Sequence, residues 1–189
     1  MTTQVITPEF RVSYPKVFKP ERNTLNDQDE YSLVALFAAG ADLTAVKAAV
    51  KEAAEKKWGA DPKKWPKNMR SPFKVQEMKQ DDDGNDYLPS GFTEGASMLS
   101  VKSQKKPGLV DASNQDIIDD NDFYGGCYAR AQVNAFAYDK KGNVGVALGL
   151  NHVQKLRDGE SFGSATRNAS DVFSPVSETG GSSAGGMFD

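Results

Sequence analysis

In the run CYARAQVNAFAY (127–138), small and large side chains alternate with a period of two. Cys127, Ala129, Ala131, Val133, Ala135 and Ala137 are small and apolar. Tyr128, Arg130, Gln132, Asn134, Phe136 and Tyr138 offer three rings, one guanidinium and two amides. Successive side chains of a strand point to opposite faces. One face can therefore be buried while the other turns this chemistry outward. Aromatic rings stack on the flat faces of bases, worth about 1–3 kcal/mol per base, and tolerate any base. Arginine pairs with phosphate or stacks on a ring. The pattern suits a single nucleic-acid strand. The same spacing would also let Phe136 and Tyr138 pack beneath a helix, and hairpin register decides which face is which.

Further basic and aromatic residues supplement this strand. Lys102 sits on the polar parity of SMLSVKSQ (97–104), beside Lys105 and Lys106, and Arg70, Phe73 and Lys74 repeat the basic–aromatic pairing. Lys155 and Arg157 follow the last apolar run. The candidate DNA-binding set is Arg70, Phe73, Lys74, Lys102, Lys105, Lys106, Tyr128, Arg130, Gln132, Phe136, Tyr138 and Lys155. The net charge of −3 argues against a polyanion, but residues 45–80 hold ten Lys or Arg against four Asp or Glu. Residues 81–122 reverse this, with three against ten. Local field rather than total charge guides a polyanion to a surface.

Other chemistries have little to work with. One cysteine and one histidine in 189 residues exclude a disulfide framework, a Cys-rich zinc site and a multi-histidine metal site. The acidic runs QDDDGND (80–86) and DIIDDND (116–122) lack the glycine and glutamate positions of a calcium loop and read as solvated turns. No catalytic residue, metal or cofactor is expected. Trp58, Trp65, His152 and Cys127 read as packing residues. No apolar run approaches the about 20 residues of a membrane helix. The N-terminus lacks the basic-then-apolar pattern of a secretory signal.

The elements that must position these residues are mainly β. EFRVSYPKVF (9–18) alternates and is interrupted by Pro15 and Pro20, and 31–38 is a second strand. Asp42 is placed to cap a helix over 42–58, ended by Gly59. Residues 59–72 hold three prolines and form an irregular basic segment. Residues 73–79 and 97–104 read as strands, and 128–138 and 144–153 form a hairpin with Gly142 in its turn. After residue 163 the chain turns Ser- and Gly-rich, which reads as a flexible tail.

FRVSYPKVF (10–18), GCYARA (126–131) and GLNHVQKLRDGE (149–160), together with the alanine-rich helix, resemble a family of tailed-phage single-stranded DNA-binding proteins. The resemblance covers about residues 5–163. It implies an OB-like five-stranded barrel with a helix between early strands, no catalysis, and sequence-independent binding of single-stranded DNA during replication and recombination in the host cytoplasm. The basic segment would also serve a duplex. Such proteins often end in an acidic tail with a terminal aromatic that recruits replication proteins. Here Phe188 is present, but only Asp171, Glu178 and Asp189 are acidic in the tail. A protein-interaction module of a virion using the aromatic face, and a carboxylate-based nuclease, are the alternative readings.

Overall fold

The strongest alternation becomes the longest hairpin. The computed structural model describes residues 3–24 and 26–163; the segment read as a tail lies outside them. Within it β9 (Tyr128–Lys140) runs antiparallel to β10 (Asn143–Arg157). Lys140 pairs with Asn143, so the turn is the two residues Lys141 and Gly142, both with positive φ (50° and 80°). That is the primed turn whose twist matches the flanking strands. Cys127, Ala129, Ala131, Val133 and Ala135 all face the core.

The described residues form ten strands and one α-helix. β1 (Gln4–Ile6), β2 (Phe10–Asn23) and β3 (Gln28–Leu36) precede α1 (Thr44–Trp58). After it come β4 (Phe73–Val75), β5 (Lys79–Gln80), β6 (Asp86–Tyr87), β7 (Ser97–Ser103) and β8 (Gly108–Val110). β2 pairs with β3 and β3 with β7, both antiparallel, while β7 pairs with β10 in parallel. β9 pairs with both β10 and β2. The order β2-β3-β7-β10-β9-β2 closes a five-stranded ring, the OB-like barrel. The β7–β10 seam is short, and the basic segment plugs it. The Arg70 amide donates to the Val144 carbonyl (2.9 Å), the Val146 amide donates to the Arg70 carbonyl (3.0 Å), and β4 pairs with β7.

Two local expectations are corrected. β2 runs through Pro15 and Pro20 rather than stopping there, but its ladder to β3 breaks between Ser13 and Lys16 and again before Glu21. Proline has no amide to donate, so the strand continues while the pairing does not. The helix starts at Thr44 behind Leu43, and Asp42 accepts from the Thr44 amide (2.9 Å) one position earlier than a cap would. α1 buries Val46, Ala49, Ala53 and Ala54, against β9 and β1. Trp58 and Trp65 pack against the core.

The most recognisable sequence runs build a clamp at one end of the barrel. Tyr128 pairs with Arg11 on one side and Arg157 on the other. The guanidinium carbons lie 5.3 and 3.6 Å from its ring centre. Arg11 also lies 4.5 Å from the Phe162 ring and donates to the carbonyls of Gly126 (3.2 Å) and Glu160 (2.9 Å). Arg157 pairs with Glu9 (2.8 Å). Residues 158–162 thus strap back across the start of β9.

The strap leaves no room at Gly126, where φ is +114° and a Cβ would lie 2.0 Å from the Glu160 carbonyl oxygen. Gly126→Ala is expected to lower stability by about 1–3 kcal/mol or more, seen as a fall in thermal midpoint. Gly142→Asn, at a turn with open space around it, should leave the midpoint nearly unchanged. Equal midpoints for Gly126→Ala and wild type would contradict the packing of the strap.

Candidate nucleic-acid interface

Pairing places one residue from each ring strand in a single row across the outer surface. Lys16 is opposite Ser32, Ser32 opposite Lys102, Lys102 opposite Gly149, and Gly149 opposite Asn134. The middle of the row is low, because serine and glycine stand there. On β9 the three large side chains each face a small one on β10: Tyr138 faces Gly145, Phe136 faces Ala147, and Asn134 faces Gly149. A Cβ at Gly145 would come 2.6 Å from the Tyr138 hydroxyl, and one at Gly149 would come 2.6 Å from Asn134 Oδ1. The small residues of β10 let the side chains of β9 lie down across it.

The result is a groove of about 790 Å³ whose floor is β7, β10 and β9. Asn23 at the end of β2 and Asn26 of the β2–β3 loop bound one side, and Asn143 at the start of β10 bounds the other. The two bounding connections and β7 are among the parts with which OB barrels hold oligonucleotides. Arg70, Lys74, Lys102 and Lys105 line it, as do Phe136 and Tyr138. Phe136 is 46% exposed, high for a phenylalanine in a strand. Six of the twelve residues singled out in the sequence are therefore brought together. A flanking cavity of about 520 Å³ shares Phe136 and Asn134 with the groove and reaches Lys56 and Lys57 of α1. Sequence reasoning missed Lys57 and Asn134's place in the row, although the alternating Gly145, Ala147 and Gly149 were a legible signal.

The other six lie elsewhere. Tyr128 is held in the clamp, Arg130 donates to Gln154 Oε1 (2.8 Å), and Gln132 pairs with Ile6 and His152. Lys155 is committed to Asp158 (2.6 Å) and the Asp122 carbonyl. Phe73 packs against the core, and Lys106 is exposed beyond the groove lining. The division has a simple cause. Tyr128 and Tyr138 share a strand face but stand roughly 33 Å apart along it, at about 3.3 Å per residue. A register shift at Asn151 bends the hairpin between them.

Glu30 is the acid in this groove, with a side chain only 14% exposed. Its carboxylate accepts from Asn23 (2.8 Å) and Asn26 (2.7 Å) and pairs with Lys102 (3.2 Å). Burial pushes its pKa up, but those hydrogen bonds and the Lys102 charge outweigh it and leave the value below that of an ordinary glutamate. Glu30 thus ties the β2–β3 loop to β7. A lowered folded-state pKa means that the unfolded chain binds the proton more tightly. The stabilisation is therefore present above the ordinary value of 4.5 and is lost as pH falls through it toward the folded-state value. Denaturation midpoints taken from neutral pH down to about pH 3 should fall less steeply for Glu30→Gln than for wild type. Parallel curves would overturn the role given to this carboxylate.

Comparison with known proteins bears on the fold and the family. Residues 3–182 match the family model described as the single-stranded DNA-binding protein of Enterobacter phage Enc34, so the match runs past residue 163. A protein named p50 from Acyrthosiphon pisum secondary endosymbiont phage 1 is 27% identical over 157 residues, covering 80% of this chain and 82% of that protein. The Enc34 protein in complex with single-stranded DNA superposes with a TM-score of 0.66 at 20% identity, covering 85% of this chain and 90% of that one. The single-stranded DNA binding protein gp2.5 of bacteriophage T7 superposes with a TM-score of 0.56 at 14% identity, covering 87% and 97%. With an outer groove of rings and cations on an OB-like barrel, and a family match over nearly its whole length, the chain belongs to the phage single-stranded DNA-binding protein family typified by Enc34.

Proposed function

We propose that this protein coats single-stranded DNA without regard to sequence during phage replication and recombination, in the cytoplasm of the infected bacterium. The observation that carries the proposal is the groove lined by Phe136 and Tyr138, opposite Ala147 and Gly145 of β10, together with Arg70, Lys74, Lys102 and Lys105. Bases stack on the two rings while the cations follow the backbone. No step of bond making or breaking is involved. Binding the strand but not the duplex shifts melting toward single strands by mass action. A duplex would meet the same cations but leave the rings unused, because its bases are already stacked.

Titration of labelled oligo-dT and an equivalent duplex at several salt concentrations tests this reading. With four cations engaged, the log–log salt slope should be about −3, at about −0.7 per phosphate. Phe136→Ala and Tyr138→Ala should each cost about 1–3 kcal/mol of binding. Arg70→Ala should flatten the salt slope by about 0.7. Arg130→Ala, outside the groove, should do less. Salt-independent affinity, or equal losses at Arg130 and Arg70, would sink the assignment. A chain ending at residue 163 should retain the barrel and its DNA affinity. Recovery of replication proteins by the full chain and not by the shortened one would assign partner binding to the segment bearing Phe188.

A further inference from the structure

Tyr14 belongs by parity with Phe10 and Val12, which are both buried. A regular strand would point its ring into the core. Instead β2 advances three residues, Ser13 to Lys16, while β3 advances two, Val34 to Ser32. The extra residue is a bulge, and after it Val17 is the next core residue. Tyr14 takes a left-handed backbone with φ of +46° and stands 58% exposed. That conformation is a genuine outlier for a bulky residue and costs stability. Bulges re-aim side chains next to binding sites. Among the described residues the ring makes no hydrogen bond or ring–ring contact that would repay the strain within the fold.

Its position gives the ring a use. Tyr14, Lys16, Ser32, Ser100 and Lys102 line a cavity of about 340 Å³ on the outer face of β3 and β7. Ser100 and Lys102 also line the main groove, so the two hollows adjoin at these residues. Tyr14 stands in the smaller hollow, across the low serines from Phe136. Resting on the reading of the groove as a track for single-stranded DNA, we infer that Tyr14 is a base-stacking platform. It extends the track across β3 to β2, and the β2 bulge exists to present it. Lys16, beside it, is paired with Glu21 (3.1 Å), so the ring rather than a cation serves this end of the track.

The test separates strain from binding, using the full chain. Tyr14→Gly removes both the ring and the backbone strain. It should weaken binding of a long oligo-dT by about 5- to 150-fold, the worth of one stacked base, while its thermal midpoint stays level or rises. Tyr14→Trp, which keeps a flat π face, should restore most of the affinity. If wild type binds oligo-dT with the expected salt dependence and Tyr14→Gly binds equally well, the inference about Tyr14 fails and the groove stands. A Tyr14→Gly midpoint well below wild type would overturn it too, because the ring would then serve the fold. If wild type itself shows no salt-sensitive binding, the reading of the groove fails, and the inference with it.

Discussion

The β9–β10 ladder is the constraint on which the site depends. Its two-residue turn sets a register in which every core residue of β9 is small and every outward residue from Asn134 to Tyr138 meets glycine or alanine on β10. A slip of one residue would turn Phe136 and Tyr138 into the barrel and put Ala135 and Ala137 outside. The cost would be twofold: rings forced into a core shaped for alanine, and a groove without platforms. The left-handed backbone at Lys141 and Gly142 is therefore as much a part of the site as the rings.

The barrel divides its labour between two ends. At the clamp, Arg11, Tyr128, Arg157 and Phe162 stack on one another, and Arg11 satisfies the carbonyls of Gly126 and Glu160. At the groove, Phe136 has no such cation or ring partner among the described residues. Cation and ring are present at both ends; what differs is whether the protein itself completes the interaction. A guanidinium already seated on Tyr128 and held by Glu9 has little left to offer a phosphate. Lys74 and Lys105, exposed on β4 and after β7, retain theirs.

This explains how much could be read from the residues alone. The hairpin and the buried parity of β9 were legible because their alternation is strong and uninterrupted, and the helix between early strands because of its run of good helix formers ended by Gly59. The outward face was legible as chemistry but not as a place, since residues an even number apart share a face whether they are about 7 or about 33 Å from one another (about 3.3 Å per residue). Only cross-strand pairing sorts Tyr138 from Tyr128. The distinctive runs 126–131 and 149–160 drew attention because of their unusual residues, yet most of those residues serve close packing: Gly126 beneath Glu160, and Gly159 against Tyr128. Gln76 gave no signal at all. It is fully buried, donates to the Phe37 and Ser97 carbonyls and accepts from Thr93, pinning the excursion between β4 and β7. Tyr14 gave a misleading one, because the bulge reverses the parity that alternation implies.

The charge pattern resolves in the same spatial terms. An overall charge of −3 would repel a polyanion if it were spread evenly. It is not. Asp81, Asp82, Asp83 and Asp86 sit on the β5–β6 hairpin, and none of them lines the groove. Within the groove four cations face one acid, and that acid is bonded to two asparagines and a lysine. Glu30 lowers the positive field locally, but it also orders the β2–β3 loop that walls the groove. The protein thus holds a preformed wall with one partly neutralised cation, rather than a stronger field around a loose loop. On the proposed reading, a wall tied by Glu30 reduces the ordering needed at the moment of binding. Lys102, at the centre of the row that crosses all five strands, is the residue on which wall and track converge.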